Sequence, residues 1–215
     1  MDAVTETKPG NWIAALRGFA GTQQAVVERC ELCNAEIVSK HAHLIEPESR
    51  RILCACTPCA LLFSNNEAKH YRRVPGNAQQ LREFKLSDAQ WDAFQIPINM
   101  AFFFRSSTEN RVLAMYPGPA GATESKLDLE AWDDLAAANP VLRELQDDVE
   151  ALLVNRVQGA HEYFRMPIDR CYELVGHIRR HWHGLSGGDG VREAIQTFFA
   201  SVREDTTGNE VSAHA

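Results

Sequence analysis

Two Cys-x-x-Cys pairs, Cys30-Glu31-Leu32-Cys33 and Cys56-Thr57-Pro58-Cys59, stand 22 residues apart in a chain of 215. Each pair can present two thiolates to one side of a soft or borderline ion, and two pairs brought together complete a tetrahedral four-sulfur site. What must bring them together is the stretch between. There His43-Leu-Ile-Glu46 and Arg51-Ile-Leu-Cys54 read as short strands joined by the tight turn Pro47-Glu48-Ser49, so a β-hairpin is expected.

Four cysteines around a hairpin point to a zinc-ribbon-like or rubredoxin-like module. Four thiolates suit either zinc or a single iron, and ligand type does not separate the two. Pro58 lies one place away from the proline of a Cys-Pro-x-Cys rubredoxin knuckle, and Asn34 and Ala60 stand where such knuckles continue with glycine. Those departures favour zinc, with iron as the alternative. Three further donors lie close by in sequence. Cys54 shares a strand face with Cys56, because side chains repeat every second residue, so it is an alternative ligand or a buried neighbour of the site. His41 and His43 have ligand-compatible positions, but four cysteines already fill a zinc sphere, which leaves the histidines a supporting or surface role.

Elsewhere the chemistry is thin. His177 and His181 sit one helical turn apart with His183 beyond them, but Ile178 and Arg179 follow His177 where a metallohydrolase helix would carry glutamate. Arg179 and Arg180 make the surroundings cationic, and histidines near a helix C-terminus are favourable through the helix dipole alone. The sequence has no Gly-x-Ser-x-Gly elbow, and Pro117-Gly-Pro-Ala-Gly121 lacks the lysine and hydroxyl of a phosphate loop. A non-enzymatic protein is therefore expected.

With 45% hydrophobic and 24% charged residues the chain can bury a proper core. Five of its six cysteines fall between positions 30 and 59, unlike a disulfide framework spread over a fold. Met1 to Gly10 has no apolar signal-peptide core, and the run from Ile96 to Phe104 is too short to span a bilayer. A cytoplasmic protein without membrane insertion is expected. Residues 1–80 carry nine Lys and Arg against eight Asp and Glu, the remainder thirteen against twenty-one. The acidic body disfavours nucleic acid, apart from the local set Arg50, Arg51, Arg72 and Arg73.

The expected class is α+β: a small metal module followed by a small α+β domain. Residues 1–27 form an N-terminal segment with a short helix from Trp12 to Phe19, residues 28–76 the module and linker, residues 77–205 the α+β domain, and residues 206–215 a disordered tail. Within the domain, Ser87 and Gln90 form a capping-box pattern. Met100–Arg105 and Arg111–Tyr116 read as a hairpin, followed by a Gly/Pro loop. Helices are expected over Leu129–Ala138, Val141–Val154, Pro167–Trp182 and Val191–Val202, with a strand over Glu162–Met166.

The chain also resembles an uncharacterised bacterial family encoded beside uptake NiFe-hydrogenase genes. The resemblance rests on Cys30-Glu-Leu-Cys33, His43-Leu, Arg51-Ile-Leu-Cys-Ala-Cys-Thr-Pro-Cys-Ala-Leu-Leu-Phe63, Tyr71-Arg-Arg-Val-Pro75, Ala114-Met-Tyr-Pro-Gly-Pro-Ala-Gly121 and Tyr163-Phe-Arg-Met-Pro-Ile-Asp-Arg-Cys-Tyr-Glu-Leu-Val-Gly176. It implies a context, hydrogenase biogenesis or electron transfer, and no activity. The combined expectation is a metal-binding accessory protein with structural zinc that docks on a hydrogenase subunit or maturation protein. A rubredoxin-like electron carrier is the alternative, and a zinc-ribbon nucleic-acid binder a weaker one.

Overall fold

The computed structural model describes residues 27–63, 70–125, 129–184 and 187–212. The helix expected from Trp12 to Phe19, and the start of the linker from Asn65, lie outside the described residues. Two antiparallel sheets organise the rest. The smaller has order β2-β1-β3, with β1 at Ala42–Glu46, β2 at Arg51–Ala55 and β3 at Arg72–Arg73. A seven-residue helix α1, Thr57–Phe63, follows β2 directly. The larger sheet runs β4 (Gln79–Gln80), β9 (Glu162–Pro167), β8 (Glu150–Asn155), β5 (Met100–Ser106), β6 (Arg111–Gly118), β7 (Gly121–Ser125) in spatial order. The fold is mixed α/β, with every strand pair antiparallel.

The larger sheet is covered on both faces, which is why its central strands are apolar throughout rather than alternating. Along β5 the pleat sends Met100, Phe102 and Phe104 to one core and Ala101 and Phe103 to the other. On the first side stand α4 (Ile168–His181) and α5 (Gly188–Ser212), contributing Cys171, Leu174, Ile178, Phe198 and Phe199. On the second stand α2 (Asp88–Ala93) and α3 (Leu129–Ala138), where Phe103 packs 5.5 Å from Trp132 and 5.2 Å from Phe94. Helix α2 starts at a complete capping box: Gln90 N–H donates to Ser87 Oγ, and Ser87 N–H donates to the Gln90 side chain.

Three expectations are corrected. The helix expected over Val141–Val154 is a short 3-10 turn, Pro140–Arg143, followed by strand β8. All six β8 residues are buried. A short apolar run ending Ala-Leu-Leu-Val does not distinguish a fully buried strand from a helix by periodicity. The polar Glu150 fits there because Arg165 donates to both of its carboxylate oxygens, at 2.8 and 2.6 Å. The Gly/Pro loop after β6 is a tight hairpin in which Gly118 faces Gly121, the latter at φ +121°, and it leads straight into β7. Helix α5 extends to Ser212, so Thr206, expected to open a disordered tail, is helical and buried.

The two sheets share a core. Ile45 of β1 and Val74 are buried in the same apolar cluster as Phe102 and Cys171, with Ile52 of β2 packed against it. Polar ties reinforce the contact: Arg50 pairs with Glu109, Arg72 Nε lies 3.2 Å from Asp148, and His43 Nδ1 lies 2.7 Å from Asp169 Oδ2. Ile45 is thus a shared pin. Ile45→Ala is expected to destabilise the chain by about 2–4 kcal/mol through the lost burial and the cavity left behind. Denaturant unfolding is the check, and a change below about 0.5 kcal/mol would mean that the contact carries little, the range of an ordinary surface substitution.

Candidate metal centre

The first cysteine pair sits on a knuckle at the tip of a minimal hairpin. Arg29 and Glu36 bridge its base, Cys30 N–H donates to Ala35 O, and Asn34 N–H donates to Cys30 O at 2.8 Å. Asn34 is left-handed at φ +62°. The glycine missing from the sequence pattern is thus replaced by a residue that tolerates this region better than most. Glu31 then fastens the knuckle to β2: its N–H donates to Cys54 O, and its carboxylate accepts from Cys54 N at 3.0 Å. The second pair is built differently. Cys56 follows β2 directly and Cys59 lies in the first turn of α1, closed by Ala60 N–H donating to Cys56 O at 2.9 Å.

These elements gather the sulfurs of Cys30, Cys33, Cys56 and Cys59 within 4.8 Å of one another. Cys33 and Cys56 are 3.7 Å apart. A disulfide would need about 2.05 Å, whereas a tetrahedron with metal–sulfur bonds of about 2.3 Å has edges of about 3.8 Å. All six cysteines are free. Cys30 and Cys59 are buried against Leu44, Ala55 and Ala60, with Leu32, Ile37, Phe63 and Tyr71 packed around them, while Cys33 is exposed. The donor set fits a tetrahedral ion that prefers sulfur, and this cysteine cluster is compatible with metal binding.

The electrostatics lead the same way. Burial would raise the Cys30 thiol, but the N–H groups of Cys56, Cys33 and Leu32 aim at its sulfur and hold it down at about 6. One thiolate therefore forms readily. Cys59 is pushed up to about 12, first by burial and then by the sulfurs of Cys56, Cys33 and Cys30. Four thiolates cannot coexist here without a compensating cation, and a divalent ion supplies that charge.

The other candidate donors separate from this cluster. Cys54 is not gathered with the four; one donor atom from each of His41, His43 and Cys54 lies within 4.8 Å of the others in a set of their own. The two imidazoles meet edge-on at 4.7 Å. His41 Nδ1 is 2.8 Å from Val38 O, and His43 Nδ1 is 2.7 Å from Asp169 Oδ2. The hydrogen bond to Asp169 raises the basicity of His43 against the opposing effect of burial. Asp169 lies 126 residues beyond His43, and nothing in its local sequence signals this role. His177 and His181 are not brought into a donor cluster among the described residues: His181 Nδ1 donates to His177 O, and His177 faces Glu173 at 3.5 Å. The arginine set is largely committed to carboxylates of the same chain, Arg50 to Glu109 and Glu124, Arg51 to Glu31, and Arg72 to Asp148. No helix among the described residues is long and apolar enough to cross a membrane.

Cys56→Ser is expected to remove the four-thiolate absorption of a cobalt-loaded sample and to loosen the knuckle. An unchanged spectrum would remove Cys56 from the ligand set. Since every ligand thiol must lose its proton to bind, affinity should fall as pH falls. Proton release on metal addition at neutral pH measures this directly. The raised Cys59 thiol gives up a proton on binding and Cys30 much less of one, so a net release near zero would contradict thiolate ligation.

Neither the curated proteins nor the solved structures contain a match to the chain. Residues 29–206 match the model of DUF5947, a family of unknown function. That match starts beside the first cysteine and ends in α5, covering both sheets, and the chain belongs to this family.

Proposed function

We propose that the chain is a non-enzymatic, cytoplasmic accessory protein in which zinc, held by Cys30, Cys33, Cys56 and Cys59, fixes a zinc-ribbon-like module as a docking surface. The observation that carries this reading is the pairing of the four-sulfur cluster with exposed apolar side chains on the same short helix. Leu61 and Leu62 are 59% and 69% exposed, next to buried Cys59 and Ala60. A seven-residue helix is too short to be stable alone, so an ion bound to Cys59 would hold that apolar pair in a fixed orientation. Large solvent-facing leucines beside a rigid anchor suit recognition by another protein. Six free cysteines accord with a reducing compartment.

The proposed partner is a hydrogenase subunit or maturation protein. This rests on the resemblance carried by the segments from Cys30 to Phe63, Ala114 to Gly121 and Tyr163 to Gly176. The second reading, a single iron passing electrons, draws on one specific feature: Cys33 is exposed while Cys30 receives several N–H groups. Hydrogen bonds to sulfur and solvent access both tune iron–sulfur potentials.

Affinity capture from cells actively making hydrogenase tests the docking reading. The intact protein should retain a hydrogenase component, Leu61→Ala with Leu62→Ala should lose most of it, and a clean deletion should lower assembled hydrogenase activity. Normal maturation in the deletion, with no co-purifying component, would refute it. A red protein with reversible one-electron reduction would establish the iron reading in its place.

A further inference from the structure

We propose that His41, His43 and Cys54 form a second metal site, separate from the four cysteines, that takes a zinc-class divalent ion through three protein donors. The inference goes beyond the docking reading and does not depend on it. In the β1–β2 register His43 stands directly opposite Cys54. The pleat places both on one face, and His41 stands immediately before the strand, two residues ahead of His43. The donor atoms of all three lie within 4.8 Å of one another.

Both rings are held through Nδ1, as ligating imidazoles commonly are. Each Nδ1 is held by an oxygen, Val38 O for His41 and Asp169 Oδ2 for His43. A carbonyl can only accept, so His41 Nδ1 carries the proton, and Nε2 is the nitrogen left with a lone pair. The carboxylate behind His43 is the arrangement that fixes tautomer and aim in histidine–metal sites. A second, independent observation points to a ligand. The His41 side chain is only 8% exposed, and its Nε2 is buried with no hydrogen-bond partner among the described residues. A buried nitrogen lone pair on a ring that belongs to this donor group lacks a partner that a cation would provide. The surroundings favour positive charge: Asp169 and Glu28 both act on His43, and Glu28 lies 3.4 Å from His41. One nitrogen from each ring and one sulfur make a borderline donor set suited to zinc. Three protein donors leave one position of a tetrahedral ion for water or an incoming ligand, unlike the closed four-sulfur set.

The test is a titration of the full chain, reduced and stripped by chelation, with cobalt and then zinc, read by absorption and by metal content after gel filtration. The wild type should bind two ions per chain. Cys54→Ala and His43→Ala should each bind one and keep the four-thiolate spectrum, which also reports that the knuckle has folded. Cys56→Ser should lose that spectrum but keep the weaker single-thiolate one, so the two sites fail independently. Asp169→Asn should still bind two, the second roughly 10–100-fold more weakly. Saturation of the wild type at one ion, or two ions in Cys54→Ala, would overturn the proposal. Unchanged second-site affinity in Asp169→Asn would overturn the assignment of His43 as a ligand.

Discussion

The antiparallel pairing of Ala42–Glu46 with Arg51–Ala55 divides the small sheet into two faces, and the rest of the architecture hangs on which residues fall on each. One face carries Leu44 and Ala55, which back the buried cysteines. The opposite face carries His43, Ile45, Ile52 and Cys54, where the two isoleucines enter the core of the large sheet and His43 reaches Asp169. A slip of one residue would exchange the two sets, sending imidazole and thiol into an apolar core and leucine into the polar junction. Register is therefore set from both sides at once.

This double duty explains how so small an element holds its shape. Among the described residues the sulfur cluster has five buried members, Cys30, Leu44, Ala55, Cys59 and Ala60, too little apolar area to fold unaided. Two supports make up the difference. One is the metal that the four thiols invite; the other is the anchorage of Ile45 and Val74 in the core of the large sheet. The backbone does the rest of the positioning: Asn34 turns the knuckle, Glu31 ties it to β2, and the first turn of α1 carries Cys59 back toward Cys30. Charge follows the same plan, since N–H groups stabilise one thiolate at Cys30 and leave Cys59 dependent on a cation.

Much of this was legible in the sequence, and the failures have physical reasons. The β1–β2 hairpin, the β5–β6 hairpin and the capping box at Ser87 follow from local patterns of strand, turn and cap residues. Strand β8 resembles a helix in sequence because burial on both faces erases the alternation that marks a strand. Two-residue strands such as β3 and β4 exist only through their partners and leave no local trace. At the site, the four cysteines were evident from spacing alone. The placement of Cys54 was not: alternation suggested that it shared a face with Cys56, but the chain leaves the strand at Ala55, and Cys54 turns to the histidines instead. Asp169 could not be foreseen, because its role arises only when α4 docks against the hairpin.

The central claim is that Cys30, Cys33, Cys56 and Cys59 hold a metal through sulfur alone. X-ray absorption at the zinc edge, on protein loaded with one equivalent of zinc, reads the first shell directly. The account predicts four sulfur neighbours at about 2.3 Å and no lighter ligand. A shell containing nitrogen or oxygen at about 2.0 Å in that one-equivalent sample would contradict it.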